Sequence, residues 1–136
     1  MYKSRRLDLN PLALAANAVG TYNSAQIPTS RGGWDDSVMG SIPTFTEYSG
    51  PMNYLRGVLM ISNANGGTAN LIVQGLVPGQ DGTQAYHWRT LGSTAVQNAA
   101  GAFDVQITGP VPAVIRLQLV IATATVTCGG WVELGD

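Results

Sequence analysis

One histidine and one cysteine limit what chemistry this 136-residue chain could perform. Any triad that needs an imidazole must use His87, and any thiol nucleophile must be Cys128. No local signature links the two. His87 is therefore expected as a solvent-facing strand residue and Cys128 as a small buried hydrophobe, since unpaired cysteine is among the most buried residue types. A structural zinc site needs about four Cys or His ligands, so none is expected. No Gly-x-Ser-x-Gly elbow occurs, and neither phosphate-binding glycine loop is present. The adjacent carboxylates Asp35 and Asp36 could join backbone oxygens around Ca²⁺, but they lack the spacing of an EF-hand loop. They and Asp81 are expected as solvated or turn-forming groups. No pair of carboxyls marks a glycosidase cleft. The chain is therefore expected to be no enzyme and to carry no catalytic residue, metal or cofactor.

Binding chemistry leaves more options. Tyr86 and Trp88 alternate onto one side of an expected strand, and with Trp131 they could form a sugar platform; the competing role is core packing, which buries large aromatic area. Nucleic acid is not expected as a partner, because the net charge is −1 and no basic stripe or RNP-like run exists. No apolar run approaches the ~20 residues that span a bilayer, so no membrane partner is expected, nor any small-molecule substrate. The cations are six arginines and one lysine. Arginine is enriched and lysine depleted at protein interfaces, although gene base composition would give the same skew.

The elements that hold these residues follow from composition and period. A chain of this length fits one domain and buries roughly 68% of its unfolded surface without staples. Charged residues are only 11% and hydrophobic residues 45%, against about 25% charged in an average soluble protein; this balance disfavours disorder. With one cysteine, no intrachain disulfide can form. Lys3, Arg5 and Arg6 before Leu12-Ala13-Leu14-Ala15-Ala16 resemble a signal peptide superficially, but Asp8, Asn10 and Pro11 interrupt it, and export is not expected. Residues 1–11 read as a polar, partly basic arm. Leu12 to Tyr22 reads as a first strand, with enough alanine to allow a short helix instead. Residues 23–53 form a long Gly- and Pro-rich stretch that carries Trp34, Phe45 and Tyr48. It either folds back over the body, with a short strand at Ile42 to Tyr48, or docks on a neighbouring subunit.

Beyond Tyr54 the period of two is clear. Strands are expected at Tyr54 to Asn63, Asn70 to Leu76, Gln84 to Leu91, Phe103 to Thr108, Val114 to Ala122 and Ala124 to Leu134. Asn65-Gly66-Gly67 predicts a hairpin turn between the first two. Residues 78–82 predict a second turn, and Gly129-Gly130 predicts a bulge. In Val114 to Ile121 the residues Ile115, Leu117, Leu119 and Ile121 face one way while Arg116 and Gln118 face the other. Seven or eight short strands indicate an all-β antiparallel sandwich or barrel.

The stretch from Tyr54 to Leu134 resembles the capsid decoration, or cement, proteins of tailed bacteriophages. The likeness rests on the paired strands Leu55 to Ile61 and Leu71 to Leu76, the 78–82 turn, Tyr86-His87-Trp88-Arg89-Thr90-Leu91, Gly101 to Ile107, and Pro112 to Leu119 with its outward Arg116. It implies a jelly-roll-like sandwich made in the host cytoplasm. It also implies a place on the outer capsid surface of the virion, with the major capsid protein and a second or third copy of the chain as partners. For that role Arg5 and Arg6 in the arm, and Arg31, Trp34 and Tyr48 in the long loop, are the expected contact residues, because Trp, Tyr and Arg dominate binding hot spots. A tail or baseplate protein and a carbohydrate-binding module remain the alternatives.

Overall fold

A computed structural model describes residues 4–6, 12–28, 54–78, 86–109, 111–112 and 114–135. Ten strands occur along them: β1 Ser4–Arg6, β2 Leu12–Asn17, β3 Gly20–Asn23, β4 Ile27–Pro28, β5 Tyr54–Asn63, β6 Thr68–Pro78, β7 Tyr86–Ser93, β8 Gly101–Thr108, β9 Val114–Ala122 and β10 Val126–Gly135. They build two antiparallel sheets. In the first, β1 and β2 share one edge of β10, followed by β5 and β8; in the second, β3 and β4 share one edge of β9, followed by β6 and β7.

The pairing is nested. β2 pairs with β10, β3 with β9, β5 with β8, and β6 with β7. The chain is thus one long antiparallel ribbon folded at the β6–β7 end and then rolled up, which adds the β10–β5 and β9–β6 ladders. That arrangement is an eight-position, double-sheet jelly roll, and it bears out the all-β, jelly-roll-like antiparallel sandwich expected from the sequence.

The period-two pattern explains which face is buried. On β9, Ile115, Leu117, Leu119 and Ile121 are at most 2% exposed, while Arg116 and Gln118 lie on the other face. The matching inner residues are Leu55, Leu59 and Ile61 on β5 and Leu71 and Val73 on β6. Leu71 crosses the interior: an added Cβ at Gly57 or Gly130 would stand 3.6 or 3.0 Å from its methyl groups. Two glycines of the first sheet therefore make the recess that a leucine of the second one fills. Thr94, buried, fixes the backbone behind it. Its Oγ1 accepts from Leu71 N–H at 3.0 Å, and its own N–H donates to Leu71 O at 2.9 Å.

Three expectations are corrected. The turn at Ala64 to Gly67 forms, with φ of 47° at Asn65 and 79° at Gly66 and with Gly67 N–H donating to Ala64 O at 2.7 Å. It is not a hairpin, however: β5 and β6 belong to opposite sheets. The apolar faces of the two strands bury most area when they meet across the core, and turn chemistry reverses the chain without choosing between an edge and a face. The expected strand Leu12 to Tyr22 is two strands in different sheets, broken at Ala18 and Val19. The crossing is held by Tyr22, whose hydroxyl donates to Ala18 O at 2.6 Å, and by Asn17, whose Nδ2 donates to Ala15 O and Cys128 O. The expected loop 23–53 begins as ordered edge. Ser24 exchanges bonds with Leu117, its N–H donating to Leu117 O and its Oγ accepting from Leu117 N–H, both at 2.8 Å. Ile27 then enters the core at 2% exposure. Residues 29–53, with the strand suggested at Ile42 to Tyr48, lie outside the described residues, as do 79–85. The Gly129-Gly130 irregularity is present as a register shift between Cys128 and Gly130 against β2.

Candidate interaction surfaces

The single histidine and the single cysteine lie in different sheets. His87 stands on β7, the outer strand of the second sheet, opposite Val77. Cys128 is fully buried in β10 of the first sheet, between β2 and β5. Burial pushes its thiol above the usual range, against a smaller opposing effect of Asn17. Among the described residues no three His, Cys, Asp or Glu side chains come together in a group able to hold a metal ion. Asp35, Asp36 and Asp81 lie outside them.

The outer face of the second sheet carries a stacked cation. Arg116 on β9 lies opposite Gln74 on β6, and Gln74 lies opposite Thr90 on β7. The guanidinium donates from Nε to Gln74 Oε1 at 2.7 Å, and its carbon sits 4.4 Å from the centre of the Trp88 ring. Partial burial lowers the Arg116 pKa. Such stacking contributes about 0.5–1 kcal/mol at exposed sites, and it occupies a ring face that a sugar platform would need. Trp131 belongs to the outer face of the other sheet, opposite Val58. Trp88 and Trp131 therefore cannot share a platform, and the side chain of Tyr86 lies outside the described residues.

The outer face of the first sheet carries a charged row across three strands. Arg56 on β5 reaches Asp104 on β8 at 2.9 Å and Glu133 on β10 at 3.4 Å. The hydrogen bond from Arg56, and a second one from Gln106, hold the Asp104 carboxyl below the usual carboxylate range. A depressed carboxylate contributes stability that is present above its unfolded pKa and is lost as pH falls through its folded value. At an exposure of 39% for both partners the contribution is small. In a carboxyl NMR titration Asp104 will therefore show a midpoint below that of a free aspartate, and Arg56→Gln will move it upward; an unmoved midpoint would refute the pairing.

Of the expected contact residues, Arg5 and Arg6 lie in β1, at register positions opposite Leu134 and Glu133 of β10. The middle of the expected free arm is thus an edge strand of the sandwich. Arg31, Trp34 and Tyr48 lie outside the described residues. Neither the Arg56 row nor the Arg116–Trp88 stack was foreseen from sequence. Both depend on strand register, and only the outward alternation of Arg116 gave a hint.

No family model matches the chain, and no curated protein matches it. Among solved structures the fold is similar to the PBSX exported protein XepA, with a TM-score of 0.52 at 8% identity over 98% of this chain and 37% of that one. The chain thus spans little more than a third of that protein's length. Weaker likenesses include a structure of infectious bursal disease virus Gx strain (TM-score 0.49, 12% identity, 99% of this chain and 32% of that one). Another is the C-terminal family 22 carbohydrate-binding module of Clostridium thermocellum Xyn10B (TM-score 0.42, 12% identity, 67% of this chain and 58% of that one). At such identities the shared property is the fold.

Proposed function

We propose that this chain is a non-enzymatic structural protein of a phage particle that binds the outside of the head and ties neighbouring major capsid protein subunits together. The observation that carries the reading is a jelly roll in which an arginine on each outer face is already engaged with its neighbours. Arg116 is stacked on Trp88, and Arg56 lies between two carboxylates. Jelly rolls serve both viral shells and lectins, and the occupied Trp88 face argues against the sugar-binding alternative. The sheet edges and connecting segments are then the natural places for contact, which suits adhesion. Several weak contacts, repeated over a shell, give avidity without a deep pocket.

The test is co-sedimentation of the full chain with shells of the major capsid protein, together with electron microscopy of labelled virions. Binding to shells and label over the head support the reading. Label confined to the tail would assign the chain to the tail or baseplate instead, and no association with particles would overturn both. Deleting residues 1–11 is a poor probe, because it removes β1 from β10. Side-chain changes are cleaner. The double substitution Arg5→Ala/Arg6→Ala and the single substitution Trp34→Ala are each expected to weaken shell binding at least about tenfold, equivalent to about 1.4 kcal/mol, within the range of interface hot spots. Unchanged binding in both would remove these residues from the interface.

A further inference from the structure

Edge strands offer unpaired backbone groups to any passing strand, and natural sheets protect them with charge, proline, bulges or brevity. Three of the four sandwich edges show such protection. β8 carries exposed Asp104, β7 carries exposed Arg89, and the β3–β4 edge is interrupted at Ser24 and ends in Pro28. The fourth edge is divided between β1, which carries Arg5 and Arg6, and β2, which has no such charge. β2 spans Leu12–Asn17 without a charged residue or a proline, and it pairs with β10 alone among the described strands. Ala13, Leu14, Ala15 and Ala16 are all exposed, so neither face of the strand is covered. Leu14 is 51% exposed, and Val19, just past the strand, is 58% exposed.

We propose that β2 is a self-association edge, and that two copies of the chain join by antiparallel β2–β2 pairing about a twofold axis. The occupant is a second copy for three reasons. A twofold antiparallel pair sets the strand against itself, so an uncharged strand meets no like-charge repulsion. The three alanines end at Cβ, so the flanks of two sandwiches can approach to backbone hydrogen-bonding distance. The pairing also consumes the exposed edge of both copies, so it closes at two and leaves no open end for a fibre. The joined sheets would form one continuous layer across the dimer. Six residues give an edge about 20 Å long. An interface of that length falls short of the roughly 1,000 Å² expected of a stable one, so the dimer is weak and concentration-dependent.

The inference deepens the self-association part of the function proposed above and does not require a capsid. It is tested without shells, so its failure and the failure of shell binding are distinguishable. Sedimentation velocity of the full chain over a hundredfold concentration range should show a monomer–dimer equilibrium. Leu14→Lys should raise the dissociation constant at least about tenfold, because like charges near the axis repel, and should leave the circular dichroism spectrum unchanged. Leu14→Cys carrying a spin label keeps the edge uncharged and should give a short, concentration-dependent label-to-label distance. Cys128 does not compete for the label, because it is buried. A wild-type chain that stays monomeric throughout, a Leu14→Lys dimer as tight as wild type, or a spin-labelled dimer with no short distance would each overturn the proposal.

Discussion

Leu71→Ala will destabilise the protein by about 3–5 kcal/mol, the upper part of the range for leucine truncation in a closed core, and will lower the melting temperature by roughly 10–20 °C. The residue is fully buried, and its methyl groups fill the recess over Gly57 and Gly130. That recess cannot collapse easily. Its floor is the backbone of two paired strands, and the wall behind Leu71 is fixed by the two bonds to Thr94. A cavity that cannot relax keeps its full cost. Thermal unfolding of the variant checks the value; a loss below about 1.5 kcal/mol, as for a tolerated core swap, would mean that the sheets slide together and that the recess is not rigid.

Gly67→Ala is expected to cost about 2–3 kcal/mol, the upper part of the overpacking range, whereas Gly66→Asn next to it will be nearly neutral. The two glycines share one turn but serve different needs. Gly66 has a φ of 79° and open space around it, so its requirement is conformational, and asparagine tolerates that region. Gly67 has no such φ. A Cβ there would stand 2.5 Å from Ala124 O and 2.7 Å from a Val126 methyl, at the point where the β5–β6 arch passes the β9–β10 connection. The obstacle includes backbone, so no rotamer relieves it. Chemical denaturation of the two variants should separate them clearly; equal costs would show that the arch moves freely from the β9–β10 connection.

Both results bear on function through rigidity. An adhesive protein transmits force between neighbours only if its two layers do not shear, and Leu71 joins the layers across the core while the arch at Gly67 joins them at one end. If the chain ties capsid subunits together as proposed, loosening either should weaken that effect even where the contact residues are intact.

Much was legible in the sequence because strand faces are written locally. Ile115, Leu117, Leu119 and Ile121 alternate with Arg116 and Gln118, and that period alone sets which side meets the core. The low charge and the single Cys128 likewise limited the chemistry before any fold was known. What local pattern cannot carry is the choice of strand neighbour. Asn65-Gly66 makes the same reversal whether the chain returns beside β5 or across from it, and the Leu12 to Tyr22 segment reads as one apolar run although it changes sheets at Ala18. Partner choice is decided by burial summed over residues distant in sequence, such as Leu71 settling over Gly57 and Gly130. The same long-range summation brought Arg56 between Asp104 and Glu133, laid Arg116 over Trp88, and left the uncharged β2 paired with β10 alone among the described strands.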